Sequence, residues 1–258
     1  FRWDAPRSGR QYEFHQIGVE LIGSNRLEAD TEALLVAIEA LRRLGLEGFT
    51  ITLSHVDFFN GISTGLGLGE EDRRRMRELV DRKETEGLDA FLVKRASREA
   101  RDAFCRLTAL AGKLDIIEEA RSLVSNEKSR AALEDLDRIF RVAEEIGIAS
   151  CIDADLGDVG GLDYYTGLTF KIYAPGLGTA LGRGGRYDQL LGNFGHPEPA
   201  VGFSLCLDWL AQILGPVLKD ATGAKAGDAA RLDARGDIVS AFKEATRLRS
   251  EGKRVEIE

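Results

Sequence analysis

The 258-residue sequence predicts an α+β fold in which strand-like stretches bracket a long helical block. Three observations carry that expectation. Gln11–Ile22 and Leu168–Tyr173 alternate with a period of two, and Ala200–Leu205 is a short apolar run, as strands do. Between the first of these and the other two, Glu70–Gly147 sets leucines and isoleucines three and four residues apart among many charges, which is helical spacing. Finally, Gly160-Gly161-Leu162-Asp163-Tyr164-Tyr165-Thr166-Gly167 and Gly184-Gly185-Arg186-Tyr187-Asp188 put tyrosines and aspartates between glycines beside the later strands.

Composition narrows the class of function. Apolar content of 43% with 30% charged residues describes a globular protein able to build a core. A net charge of −8 argues against a general electrostatic grip on nucleic acid. Cys105, Cys151 and Cys206 are scattered and odd in number, which suits a reducing cytosol and neither disulfides nor zinc. The three histidines lie far apart, so no metal site is expected. No apolar run approaches membrane-spanning length, and a cytoplasmic location is expected. The chain starts without methionine inside a strand-like stretch and stops in another, so a fragment is expected.

Taken in order, Phe1–Trp3 reads as extended and Asp4–Arg10 as a loop. In Gln11–Ile22 the period of two puts Tyr12, Phe14, Gln16, Gly18, Glu20 and Ile22 on one face. Ile17, Val19 and Leu21 share the other and are expected to pack beneath helices. Glu28–Leu44 is a helix ended by Gly45, and Phe49–Val56 a strand whose His55 has no evident acid–base partner. Gly61–Gly69 reads as a glycine-rich connection without the Gly-Lys-Ser/Thr ending of a phosphate loop. Helices are expected near Glu70–Arg82, Asp89–Arg95, Ser97–Ala111, Leu114–Val124 and Glu127–Ile146, the last started at Ser125-Asn126. Arg73-Arg74-Arg75 reads as a solvated helix face. The sheet resumes at Ala149–Asp155, and Cys206–Leu210 leads the strand before it into a helix. Residues 215–235 read as a linker, 1–214 as the core with its helical insertion at about 70–147, and 236–258 as the start of a small, incomplete C-terminal α/β domain.

The glycine–tyrosine stretches admit two readings. They are tight turns between antiparallel strands, or they hold Asp163, Tyr164, Tyr165 and Tyr187 around one small polar ligand, with glycine allowing close approach. Gln16 and Glu20 point the same way on either side of Gly18. A carboxylate on a sheet face needs a cation or donors, which an ammonium ligand or a neighbouring arginine would supply. The alternative is a solvent-facing polar stripe on an edge strand.

These residues together resemble a known family. Phe1-Arg2, Gly9-Arg10 and Phe14-His15-Gln16-Ile17-Gly18-Val19-Glu20 resemble motif 2 of class II aminoacyl-tRNA synthetases in its histidyl form. Leu162-Asp163-Tyr164-Tyr165-Thr166-Gly167 resembles the histidine-binding signature, and Gly184-Gly185-Arg186-Tyr187-Asp188 and Pro199–Phe203 match later segments leading into motif 3. The resemblance covers roughly residues 1–214. It implies a class II synthetase-like antiparallel sheet flanked by helices, dimeric in the family. By position, Glu20 would receive the α-amino group of histidine. Gln16, Tyr165 and Tyr187 would line the pocket, supported by Asp163 and Tyr164, and Arg2 and Arg10 would lie on a vestigial ATP side.

Two departures shape the expected function. Gly160 stands where the synthetase has an arginine on the reacting carboxylate and phosphate, and Trp209 where motif 3 carries an arginine against ATP. Adenylate formation builds charge on the α-phosphate, and loss of one fixed donor there costs about 10²–10³ in rate. The chain therefore looks like the regulatory subunit of ATP phosphoribosyltransferase, a non-catalytic synthetase paralogue. That resemblance implies a short-form catalytic subunit as partner, histidine as effector, no cofactor and no tRNA. An active histidine–tRNA ligase with compensating arginines is the alternative, and a scaffold with neither function a third.

Overall fold

A computed structural model describes residues 14–64, 66–107, 109–159, 164–215, 230–233, 237–253 and 255–257. Seven of its strands form one sheet: β1 (Gln16–Ile22), β2 (Thr50–His55), β3 (Ala111–Gly112), β4 (Ile152–Asp155), β5 (Leu168–Tyr173), β6 (Gly182–Arg186) and β7 (Ala200–Cys206), in the spatial order β1-β7-β6-β5-β2-β4-β3. All neighbours run antiparallel except β2 and β4, which are parallel. A parallel pair needs a long crossover, and the helical insertion supplies it.

Helix α1 (Leu27–Arg43) lies under the sheet and buries Leu34, Leu35, Ile38 and Leu41. Its acidic first turn and basic last turn complement the helix dipole. It stops where Gly45 takes φ +74°, letting Leu46 donate back to the Leu41 carbonyl. Helix α2 (Val56–Thr64) runs straight through Gly61, where a glycine-rich connection was expected. The reason lies across the packing. A Cβ at Gly61 would meet Ser129 Oγ at 2.2 Å and Asn126 Oδ1 at 2.4 Å, so the glycine is a contact point between helices.

The insertion continues through α3 (Glu70–Asp81), α4 (Thr85–Leu92), α5 (Arg98–Leu107), α6 (Asp115–Leu123) and α7 (Glu127–Glu145). Asn126 caps α7 by accepting from Ser129 N–H at 2.8 Å, and buried Ser129 donates its hydroxyl to the Phe58 carbonyl at 2.7 Å. Met76, Leu88, Phe104 and Ile117 belong to the same hydrophobic cluster as Ile51, Phe170 and Phe203 of the sheet. The insertion therefore shares the sheet's core.

After β7 comes α8 (Leu207–Leu214). A short strand, β8 (Ala230–Leu232), forms within the stretch expected to be linker and pairs in parallel with β9 (Val255–Ile257). Between them α9 (Ile238–Ser250) buries Phe242 in the main core and aims Arg249 at Glu32 and Glu39 of α1. Among the described residues no helix is long and apolar enough to cross a membrane.

One packing expectation fails. Ile17, Val19 and Leu21 do share the helix-side face, opposite Leu205, Phe203 and Val201. Only Leu21 is covered, by Ala29 and Ala33 of α1, whereas Ile17 is 55% and Val19 42% exposed. Strand β1 is one of the two edge strands of the described sheet, and Ala29 and Ala33 of α1 meet it at Leu21, near its C-terminal end. The period was read correctly; the cover over it was not.

Candidate functional site

Cross-strand register builds the site on the other face of the sheet. Residues directly opposite in antiparallel strands point to the same side. Glu20 on β1 faces Gly202 on β7, which faces Gly185 on β6, which faces Thr169 on β5. The next row holds Gly18, Ser204, Arg183 and Lys171. Two adjacent glycines thus leave a floor between Glu20 and Thr169 on which side chains lie flat. A Cβ at Gly202 would sit 1.8 Å from Glu20 Oε2, and one at Gly185 would sit 2.8 Å from the Tyr165 ring. Substitution at either position would evict the side chain resting on it.

Above the floor the tyrosines close in. The Tyr187 hydroxyl donates to Glu20 Oε2 in a short hydrogen bond. Tyr164 stands edge-on to Tyr187 with ring centroids 5.7 Å apart, and its ring centroid is 4.8 Å from that of Tyr165. Burial pushes the Tyr165 hydroxyl well above the usual phenol range, with Tyr164 adding to the shift. Burial and then the bond to Glu20 do the same for Tyr187. Both hydroxyls stay protonated at neutral pH, so Tyr187 serves as a fixed donor.

The tyrosines converge because backbone and side chains knot the two glycine–tyrosine stretches together. Thr166 N–H donates to the Arg186 carbonyl at 2.8 Å, and Asp188 N–H to Thr166 Oγ1 at 3.0 Å. Arg186 itself points the other way, under the sheet. Its guanidinium, 7% exposed, donates to Asp30 at 3.0 and 3.2 Å. It also donates to the carbonyl of Ser24 at 2.9 Å, to Asp188 at 2.9 Å and to the carbonyl of Arg26 at 3.1 Å. One arginine thus ties β6, the turn before α1 and α1 itself into a frame immediately beside Tyr187. Burial pushes the Asp30 carboxyl up to about 6, against the pull of Arg186. Gly167 gives the Arg186 stem room, since a Cβ there would lie 3.1 Å from its Cδ.

The structure brings Glu20, Tyr164, Tyr165 and Tyr187 together. Gln16 lies at the start of β1 opposite Cys206, four residues and about 13 Å along the strand from Glu20, on the same face. Asp163, Arg2, Arg10 and Gly160 lie outside the described residues. Trp209 is half-buried on α8 and packs against the core, placing apolar surface at that position. His55 has a neighbour the sequence did not reveal, for its Nε2 stands 4.0 Å from Asp135. Burial holds its pKa down to about 4, and its Nδ1 accepts the Asp57 N–H at 3.2 Å. It is a neutral helix-start acceptor.

Sequence reasoning missed Arg186, Asp30 and Arg183. A signal was present: Arg183 and Arg186 stand three positions apart with two glycines between them, so a strand must point them to opposite faces.

The sequence profile described as histidyl-tRNA synthetase matches residues 1–210. The ATP phosphoribosyltransferase regulatory subunit of Thermoanaerobacter sp. (strain X514) is 35% identical over 258 residues, covering all of this chain and 68% of that protein. The like-named subunit of Geobacter sulfurreducens is 36% identical over 247 residues, 95% of this chain and 56% of the relative. A solved structure from Bacillus halodurans C, described as an ATP phosphoribosyltransferase regulatory subunit/histidyl-tRNA synthetase, superposes with a TM-score of 0.75 at 30% identity. It covers 97% of this chain and 64% of that one. The chain thus spans between about half and two thirds of the length of the relatives it matches.

Proposed function

The chain belongs to the histidyl-tRNA synthetase family, on the branch whose relatives are named ATP phosphoribosyltransferase regulatory subunits, and from that premise we propose that it is such a subunit. In this reading it carries no chemistry of its own. It partners a short-form catalytic subunit at the first step of histidine biosynthesis, self-associates as a dimer, works in the cytoplasm and binds no tRNA.

The observation that supports the reading is the cluster of Glu20, Tyr164, Tyr165 and Tyr187 on one sheet face, set against a sequence with glycine at 160 and tryptophan at 209 where the synthetase has arginines. Glu20 and its Tyr187 donor frame an anionic point fit for an ammonium group, with aromatic walls around it. Position 209, by contrast, holds a core-packed tryptophan, which carries no charge. Position 160 is glycine. Two missing donors on one transition state, at about 10²–10³ each, leave adenylation too slow to serve protein synthesis. Histidine held at Glu20, Tyr165 and Tyr187, with Gln16, Asp163 and Tyr164 around it, then acts as a feedback signal.

The test uses the full-length protein. Histidine-dependent exchange of pyrophosphate into ATP should stay at background, while its addition to a short-form transferase should raise turnover. Exchange at the rate of a working synthetase would instead establish the ligase reading.

A further inference from the structure

One side chain of the helical insertion holds a turn beside the tyrosine cluster. Just past the end of α3, Lys83 takes φ +57°, the one left-handed non-glycine residue among those described. Its N–H donates to the Val80 carbonyl at 2.9 Å, and the Glu84 N–H to the Leu79 carbonyl at 2.9 Å. Those two bonds make a helix stop that ordinarily takes glycine. A side chain there strains the backbone, and the stop itself asks nothing of the ammonium. The ammonium is used elsewhere, against the sheet.

Lys83 Nζ donates to Asp155 Oδ1 at 2.5 Å, at the end of β4 and 72 residues along the chain. The same oxygen accepts the Gly157 N–H at 3.1 Å, so one carboxylate joins the insertion to the turn that follows the strand. The fit is close. A Cβ at Gly157 would lie 2.6 Å from Lys83 Nζ and 2.9 Å from the Leu107 carbonyl. Asp158 N–H donates back to the Asp155 carbonyl at 3.0 Å and closes the turn. The Asp158 carboxylate then accepts from Lys171 of β5 at 2.5 Å. Together Asp158 and Lys171 line a crevice with Tyr165, Thr169 and Arg183, so the turn supplies part of the wall beside Tyr165.

We propose that Lys83 is a positioning residue for the tyrosine pocket: it locks the turn at 155–158, and the turn sets Asp158 and Lys171 in the pocket wall. The insertion's grip on the turn and a ligand in the pocket then reinforce each other. A lysine suits the task, since a compact charge on a flexible stem can approach a carboxylate and a bare glycine backbone at once. The proposal rests on the reading of this pocket as a histidine site and names what holds one of its walls.

Lys83→Gly separates the lock from the helix stop, because glycine keeps the left-handed turn while the ammonium is deleted. Lys83→Asn also tolerates that turn and lacks the charge, without glycine's added freedom. Amide hydrogen exchange and calorimetry with L-histidine, on the full-length protein, compare both variants with the wild type. Each variant should melt as the wild type does, while its Gly157 and Asp158 amides exchange roughly 3–10-fold faster, between the loss of an exposed ion pair and that of a buried charge-assisted bond. Histidine should bind more weakly by a similar factor, and the amides of Leu133 and Leu136 in α7 should keep their wild-type rates. Unchanged exchange at Gly157 and Asp158 overturns the proposal. So does faster exchange there with histidine affinity unchanged, for the turn then sets nothing in the pocket. Effects confined to Lys83→Gly overturn it as well, since glycine's freedom would then be their cause. If the wild type binds no histidine, the histidine reading falls by itself, and exchange at Gly157 and Asp158 alone decides the lock.

Discussion

The frame beneath Tyr187 can be tested by removing its central side chain. Arg186→Met keeps the length and apolar stem but deletes the guanidinium. Asp30, 5% exposed, then loses its cationic partner, and the carbonyls of Ser24 and Arg26 lose their donors. Breaking one side of a buried ion pair costs about 3–5 kcal/mol. The cost stays in that range because Asp30, already at about 6, can take a proton rather than remain a bare anion. Asp30→Asn should cost less, about 1.5–3 kcal/mol, since Arg186 keeps Asp188 and two carbonyls. Replacing both members with apolar residues, Arg186→Met with Asp30→Leu, should recover much of the loss. Urea denaturation at pH 7 gives all three values. An Arg186→Met protein that loses less than about 1 kcal/mol with an unchanged slope would refute the frame.

Three further outcomes follow from the same geometry. Gly61→Ala should lower stability by about 1–3 kcal/mol in thermal melts, because its Cβ would sit 2.2 Å from Ser129 Oγ in the packed contact between α2 and α7. Gly202→Ala should abolish calorimetric histidine binding, because its Cβ takes the place of the Glu20 carboxylate and would also lie 2.4 Å from the Val19 carbonyl. His55 concerns pH. Its pKa is depressed from 6.5 to about 4, so between those values the folded chain binds fewer protons than the unfolded one. Its contribution is therefore complete above 6.5 and lost as pH falls through 4. The stability difference between wild type and His55→Gln should grow by about 3 kcal/mol from pH 4 to 6.5. Asp30 drifts the opposite way in that window, so only the difference isolates the histidine.

What the sequence disclosed follows from which interactions are local. The stripe of Leu34, Leu35, Ile38 and Leu41, the Asn126 cap and the period of β1 are set by residues near each other in the chain. Gly61 misled because its meaning lies across a helix pair, on Asn126 and Ser129, far along the sequence. Val19 misled because alternation tells which face a side chain takes and not whether anything covers that face. In the site, the resemblance drew attention to Glu20 and the tyrosines, which the structure does bring together. Arg186 sat inside a quoted motif and still went unread, since its partner Asp30 is 156 residues away on a helix that shows only an ordinary amphipathic pattern.

On the proposed function, this pocket senses histidine for a partner enzyme. Histidine inhibition of the transferase complex tests it most directly, with the full-length protein and a short-form catalytic subunit, for wild type and Glu20→Gln. The claim predicts that both proteins raise turnover. Glu20→Gln should then need roughly 10–150-fold more histidine for half-inhibition, the loss of one charge-assisted bond. An unchanged inhibition curve in a complex carrying Glu20→Gln would contradict it.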